Sequence, residues 1–180
     1  MRKNRALSEV VSTLILLVVA VLLAAVVTYY ATNITMTRTE SEMIMFSKAH
    51  VWVNSTGAVG AFKIQNLGGR DILIDKISVR GVDELWSDVW FYRVPTGTAI
   101  TGDMNVTSYA LLTGSPTIDG ENYTQASSDL PLSSGAEILI YVKGPDNVQL
   151  DDLGTSVSIS IHTNNAQYIT EVNVESATTQ

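Results

Sequence analysis

The stretch VVSTLILLVVAVLLAAVVTYY, Val10–Tyr30, decides how the rest of the chain is read. It holds no charge, and its only polar residues before the two tyrosines are Ser12, Thr13 and Thr28. As an α-helix it spans roughly 30 Å, the thickness of a bilayer's hydrocarbon core. A cleaved secretory signal has a shorter apolar region of about 7–15 residues followed by a small-residue cleavage site. Here the run is longer and passes directly into Ala31-Thr32-Asn33, a poor match to such a site. The reading is therefore a retained helix that crosses a membrane.

Outward from that helix, the N-terminal side carries Arg2, Lys3 and Arg5. Positive charge ahead of an apolar span holds the N-terminus in the cytoplasm and sends the remaining ~150 residues outside. The order Arg5-Ala6-Leu7-Ser8-Glu9-Val10-Val11-Ser12-Thr13-Leu14-Ile15-Leu16-Leu17-Val18 resembles the class III signal peptide and N-terminal helix of archaeal type IV pilins, with archaellins as close relatives. The resemblance covers about the first 35 residues. It implies that a prepilin peptidase cuts between Ala6 and Leu7, leaving the apolar helix on the mature protein. It also implies a membrane assembly platform with a cytoplasmic ATPase as partners. Glu9 is the third residue after that cut, where bacterial type IV pilins carry a glutamate at the fifth, so the archaeal branch is the better match. In the first turn of a helix starting at Leu7, its carboxylate complements the helix dipole and reaches the new amino group.

On the C-terminal side, no Pro or Gly occurs from Met1 to Thr56, so the helix is expected to continue weakly through Thr32, Thr35, Thr37 and Thr39 to about Met45. Such a helix is roughly 58 Å long, more than a bilayer requires. Val10, Leu14, Leu17, Ala20, Val21, Ala24 and Val27 are the expected filament-core positions, and the Ala20–Ala24 spacing permits close helix approach. The domain organisation that follows is a leader over 1–6, a hydrophobic helix over 7–45 and a globular domain over 46–180.

The globular part changes period. Phe62–Gln65 alternates, Leu67-Gly68-Gly69-Arg70 is a turn signal, and Ile72–Val79 resumes strand character, which predicts a hairpin. Ala136–Lys143 reads as a strand, and Val157–His162 with Gln167–Val174 as a second hairpin about Thr163–Ala166. Ala49–Val53 and Asp88–Val94 bring the total to about seven short strands. The expected class is α+β, a long N-terminal helix followed by an antiparallel β-sandwich. Between Pro95 and Gly135 a Ser-, Thr- and Gly-rich connection is expected, with one short strand or helix near Tyr109–Leu112. About 135 residues suffice to bury a core. No internal repeat or low-complexity tract interrupts them.

Composition narrows the function. The chain has no cysteine, hence no disulfide, thiol nucleophile or thiolate metal site. Its net charge is −7; removing the leader's three positive charges leaves 8 Lys+Arg against 18 Asp+Glu, near −10. An acidic chain without a basic cluster argues against nucleic acid as a partner. His50 and His162 lack the spacing partners of a metal or triad site and read as strand residues. Asp146-Asn147 and Asp151-Asp152 lack the ordered spacing of a calcium loop and read as solvated turns. Trp52, Trp86, Trp90, Phe91 and Tyr92 read as core in preference to a sugar-stacking patch. Gly68-Gly69 and Gly57–Gly60 lack the lysine and spacing of a phosphate loop. Neither a cofactor, a resident metal nor enzymatic activity is expected.

Four Asn-x-Ser/Thr sequons stand at Asn33, Asn54, Asn105 and Asn122. Asn54, Asn105 and Asn122 fall in expected loops or turn flanks of the external domain, open to glycosylation. Asn33 falls on the helix and is expected to be unmodified if that helix is packed among others. The functional expectation is a subunit of an archaeal type IV pilus-like cell-surface filament used for adhesion. It is a helical homopolymer of this chain, drawn from a precursor in the cytoplasmic membrane with its N-terminus inside. An archaellin of a motility filament is the nearest alternative, although archaellins usually open on a Gly-rich helix start. A membrane-anchored extracellular binding module is the alternative from another class.

Overall fold

Apolar residues in an uninterrupted run, with no Gly or Pro to break it, form a single helix in the computed structural model of the protein, which describes residues 2–177. Helix α1 runs Arg2–Glu40, 39 residues or about 58 Å. The side chains of residues 1–6 and 38–40 lie outside the described residues, so the side chains of the expected leader and of Ala6 at its cut do too. Because α1 begins at Arg2, Glu9 sits in its interior; the first-turn position expected for it belongs to a chain starting at Leu7. The helix also stops at Glu40, five residues before the expected end at Met45, and Ile44 and Met45 belong to the first strand.

The reason for that early stop lies far along the chain. Leu67 N donates to Met43 O at 2.7 Å and Gly69 N to Ser41 O at 3.2 Å, while the Glu42 carboxylate accepts from Thr163 Oγ1 and from Asn165 Nδ2. The backbone of 41–43 is thus committed to the β domain, and those bonds replace the helical ones.

Residues Ser41–Gln180 form the second compact unit. Its strands are β1 (Ile44–Asn54), β2 (Gly57–Asn66), β3 (Ile72–Val79), β4 (Val82–Asp83), β5 (Val89–Arg93) and β6 (Thr117–Ile118). After them come β7 (Glu121–Asn122), β8 (Thr124–Gln125), β9 (Leu130–Leu132), β10 (Glu137–Lys143), β11 (Ser156–Thr163) and β12 (Gln167–Ser176). The α+β class and the long helix ahead of a mostly antiparallel sheet stand as expected, with twelve strands among the described residues in place of about seven. Ten of them form one sheet in the order β4-β3-β11-β12-β1-β2-β10-β5-β8, with β9 on β3. Among the described residues the one parallel pairing is β1 with β12, where Val51, Trp52 and Val53 face Val174, Glu175 and Ser176.

That short parallel contact is the seam between two halves of the sheet. Phe62, Ile64, Ile138 and Ile140 from β2 and β10 share one buried cluster with Ile74, Ile77, Ile159 and Ile161 from β3 and β11. The halves therefore face each other across a common core, as the inner faces of a sandwich do. A second buried cluster lies on the other face of β1-β2-β10-β5, where Trp52, Trp90, Leu139 and Tyr141 meet Met104, Leu112, Ile118 and Tyr123.

Two corrections concern connectivity. The β11–β12 hairpin forms as expected, with Val157 opposite Val172 and Ile161 opposite Tyr168. The hairpin expected of β2 and β3 does not: β2 pairs with β1 and β10, and β3 with β11, β4 and β9. Leu67–Arg70 instead carries the chain from one half to the other. Asn66, fully buried, organises this crossing through Nδ2 bonds to Arg70 O (2.8 Å) and Leu132 O (3.2 Å) and an Oδ1 bond from Gly68 N (3.0 Å). A Cβ on Gly68 would lie 2.5 Å from Ser41 O, so only glycine admits the approach of the 41–43 backbone.

The second correction falls between Pro95 and Gly135, which contains β6, β7, β8 and β9; Tyr109–Leu111 is a turn and not a strand or helix. Side chains fasten this segment: Trp90 Nε1 donates to Gly114 O (3.0 Å), Tyr141 OH to Asn105 O (2.9 Å) and Lys143 Nζ to Leu112 O (2.9 Å). The Tyr109 ring lies over Gly57 and Gly144, where a Cβ would come within 2.6 and 2.9 Å of it.

Candidate assembly helix

Every side chain described on α1, from Leu7 to Thr37, is exposed, and Leu7–Thr37 is long and apolar enough to cross a membrane. At 1.5 Å per residue those 31 residues measure about 46 Å, against roughly 30 Å of hydrocarbon. Exposure includes the largest apolar groups, among them Leu16 at 68 % and Val27 at 65 %. About 20 such side chains at ~1.5–3 kcal/mol each would cost ~30–60 kcal/mol if left in water. That cost falls on the apolar stretch Val10–Tyr30, between the charged residues at the two ends of α1.

Its polar residues are consistent with an apolar surrounding. The hydroxyls of Thr13, Thr28, Thr32, Thr35 and Thr37 donate to the backbone carbonyls of Val10, Ala24, Thr28, Ala31 and Asn33 at 2.8–2.9 Å. Each hydroxyl is satisfied within the helix. The threonines, read from propensity as weak helix formers, thus extend the segment that tolerates dehydration beyond the apolar run to Thr37.

At 100° per residue, Val10, Leu14, Leu17, Ala20, Val21, Ala24 and Val27 fall within one face about 140° wide. The structure places all seven on exposed helix surface. Ala20 and Ala24 are one turn apart and present only methyl groups, the arrangement that lets a second helix approach closely. Leu7 is exposed at 72 %.

The sequons separate by environment. Asn33 is exposed on α1. Asn54 closes the β1–β2 turn, with its Oδ1 accepting from Thr56 N, Thr56 Oγ1 and Gly57 N. Those bonds use the oxygen, not the amide nitrogen to which a glycan attaches. Asn105 is exposed in irregular chain and Asn122 on β7, with Thr117 Oγ1 donating to Asn122 Oδ1 at 2.7 Å.

Several of the remaining chemistry-bearing residues are held by partners from distant segments. His50, expected to lack partners, gains them from distant segments: Asp103 lies 3.1 Å from Nε2 and Glu175 3.6 Å from Nδ1, with Trp52 stacked at 5.2 Å. With carboxylates at both nitrogens, neither is directed to a nucleophile. The Met104 N–H, and then His50, hold the Asp103 carboxyl below the usual carboxylate range. Asp152 accepts from Arg80 Nη1 (2.8 Å) and Gln149 N (2.9 Å), with Asn147 O also on Arg80. That turn is ion-paired and capped. Trp52 and Trp90 are buried, in keeping with the core reading, while Trp86, Phe91 and Tyr92 are half-buried. Among the described residues no group of three or more His, Asp or Glu is placed to hold a metal. The chain matches no protein-family model and no curated protein.

Proposed function

We propose that this protein is the structural subunit of an archaeal type IV pilus-like surface filament, polymerised through α1 after removal of residues 1–6. The observation that carries the reading is a helix of 31 apolar-compatible residues, exposed on every side and longer than a bilayer, following a short basic leader. In the membrane precursor the bilayer covers this helix. In the filament, copies of the same helix cover it, approaching through Ala20 and Ala24. The ~30–60 kcal/mol cost of bare exposure requires that withdrawal from lipid be coupled to insertion among neighbours. Arg2, Lys3 and Arg5 anchor the end that must leave the cytoplasmic face, which gives their removal a physical purpose. A prepilin peptidase, a membrane platform and an ATPase supply cutting and force. The acidic β domain remains outside as the adhesive, glycosylatable surface.

N-terminal sequencing of protein recovered from sheared surface fibres tests this directly. The expected first residue is Leu7. Recovery of Met1-initiated chain from membranes, with none in fibres, would replace the filament subunit by a membrane-anchored binding module.

A further inference from the structure

Three Asn-x-Ser/Thr sequons lie in the β domain, at Asn54, Asn105 and Asn122. The motif has two halves, an amide that takes the glycan and a hydroxyl two residues on, so an enzyme that reads it must reach both at once. On the β1–β2 turn Asn54 is half-buried, and Ser55 and Thr56 are exposed. Asn54 Oδ1 accepts from Thr56 N, Thr56 Oγ1 and Gly57 N, which holds amide and hydroxyl side by side and leaves Nδ2 outside those bonds. At the third sequon both halves are exposed too, because Asn122 and Thr124 flank Tyr123, whose buried ring packs edge-on against Tyr141 with centroids 5.2 Å apart.

Asn105 differs. Its side chain is exposed, but Thr107 is only 4 % exposed. Thr107 Oγ1 donates to Asn105 O at 3.3 Å, and Tyr141 OH, from β10, donates to the same oxygen at 2.9 Å. Met104, on the other side of Asn105, is buried in one cluster with Leu112, Tyr123 and Tyr141. The hydroxyl half of this sequon thus lies inside the cover that residues 95–125 form over the second face of the sheet, and the amide half lies outside it. A glycan already on Asn105 Nδ2 would disturb neither bond, since both end on the backbone carbonyl. A transferase arriving after folding would meet half of its motif.

We propose that folding gates glycosylation of this domain: Asn54 and Asn122 accept a glycan in the folded state, and Asn105 accepts one only before residues 95–125 close over the sheet. In the transfer, Nδ2 bonds to the anomeric carbon of an oligosaccharide carried on a lipid phosphate. The bond from that carbon to the phosphate oxygen breaks, the lipid phosphate leaves with the electron pair, and one Nδ2 proton passes to a base of the transferase. The division rests on the β domain alone and holds whichever assembly α1 enters.

The test uses full-length chain made without glycan and held in detergent micelles, incubated with a purified oligosaccharyltransferase and its lipid-linked oligosaccharide. Initial rates at each sequon are read by glycopeptide mass spectrometry. The tryptic peptides 49–63 and 94–143 of the same chain serve as unfolded references. Asn105 is expected to react at least about tenfold more slowly in the folded chain than in its peptide, because only the locally open fraction presents Thr107. Asn54 and Asn122 are expected to lose far less. Equal rates at Asn105 in folded chain and peptide, or a slowing of Asn54 and Asn122 as large as that of Asn105, overturns the gate.

Discussion

Asn66 makes three hydrogen bonds from a fully buried position and turns the chain from one half of the sheet to the other. Asn66→Ala leaves the Gly68 N–H and two carbonyls without this partner, and is expected to lower stability by about 2–4 kcal/mol. Chemical denaturation followed by tryptophan fluorescence measures it, and a loss near zero would mean that water replaces the side chain. This role was invisible in the sequence because Asn66 precedes Leu67-Gly68-Gly69-Arg70, which reads as an ordinary hairpin turn. The conformational freedom of glycine was legible, but its cause, Ser41 O within 2.5 Å of a hypothetical Cβ, was not. His50 shows the same limit, since its partners Asp103 and Glu175 stand 53 and 125 positions away. Asp119-Gly120, between β6 and β7, was readable in principle: φ values of 54° and 81° are what a type I′ hairpin turn demands.

At the scale of elements, α1 is dictated locally. Hydropathy, length and the absence of Gly and Pro suffice, and β-branched residues that disfavour helix in water would be accommodated in an apolar medium, which leaves the backbone no other partner. Where α1 stops is not local, because Glu42, Ser41 and Met43 are captured by residues 67–69 and 163–165. Ala24→Leu tests the role assigned to the helix. A larger apolar side chain is neutral in lipid but blocks close helix approach, so membrane levels are expected to stay normal while fibres on electron micrographs fall at least about tenfold. Unchanged fibres would remove Ala20 and Ala24 from the packing face. Among strands, β11–β12 was legible because alternation and a short turn lie in one contiguous stretch. The β2–β3 pairing was misread because alternation reports which face is buried, not which strand lies alongside.

For the whole molecule, one core spans both halves of the sheet, so the β domain is expected to unfold as a unit. Ile140, fully buried on β10, belongs to the cluster that includes Ile159 and Ile161 of β11. Ile140→Ala is expected to cost about 2–5 kcal/mol and to shift tryptophan fluorescence and the β-sheet infrared band to the same lower midpoint. Separate midpoints would divide the sandwich at its β1–β12 seam. The sequence alone determined the α+β class, the existence and apolar character of the long helix, and the strand character of most of the sheet, since each follows from the period and polarity of consecutive residues. Only the tertiary structure decided that β1 and β12 run parallel, that β2 and β3 part company, and that residues 95–125 cover a second face of the sheet. Those outcomes rest on contacts between residues such as Val51 and Val174, 123 positions apart. Shared burial and hydrogen-bond satisfaction select such contacts, and local propensity leaves no mark of them.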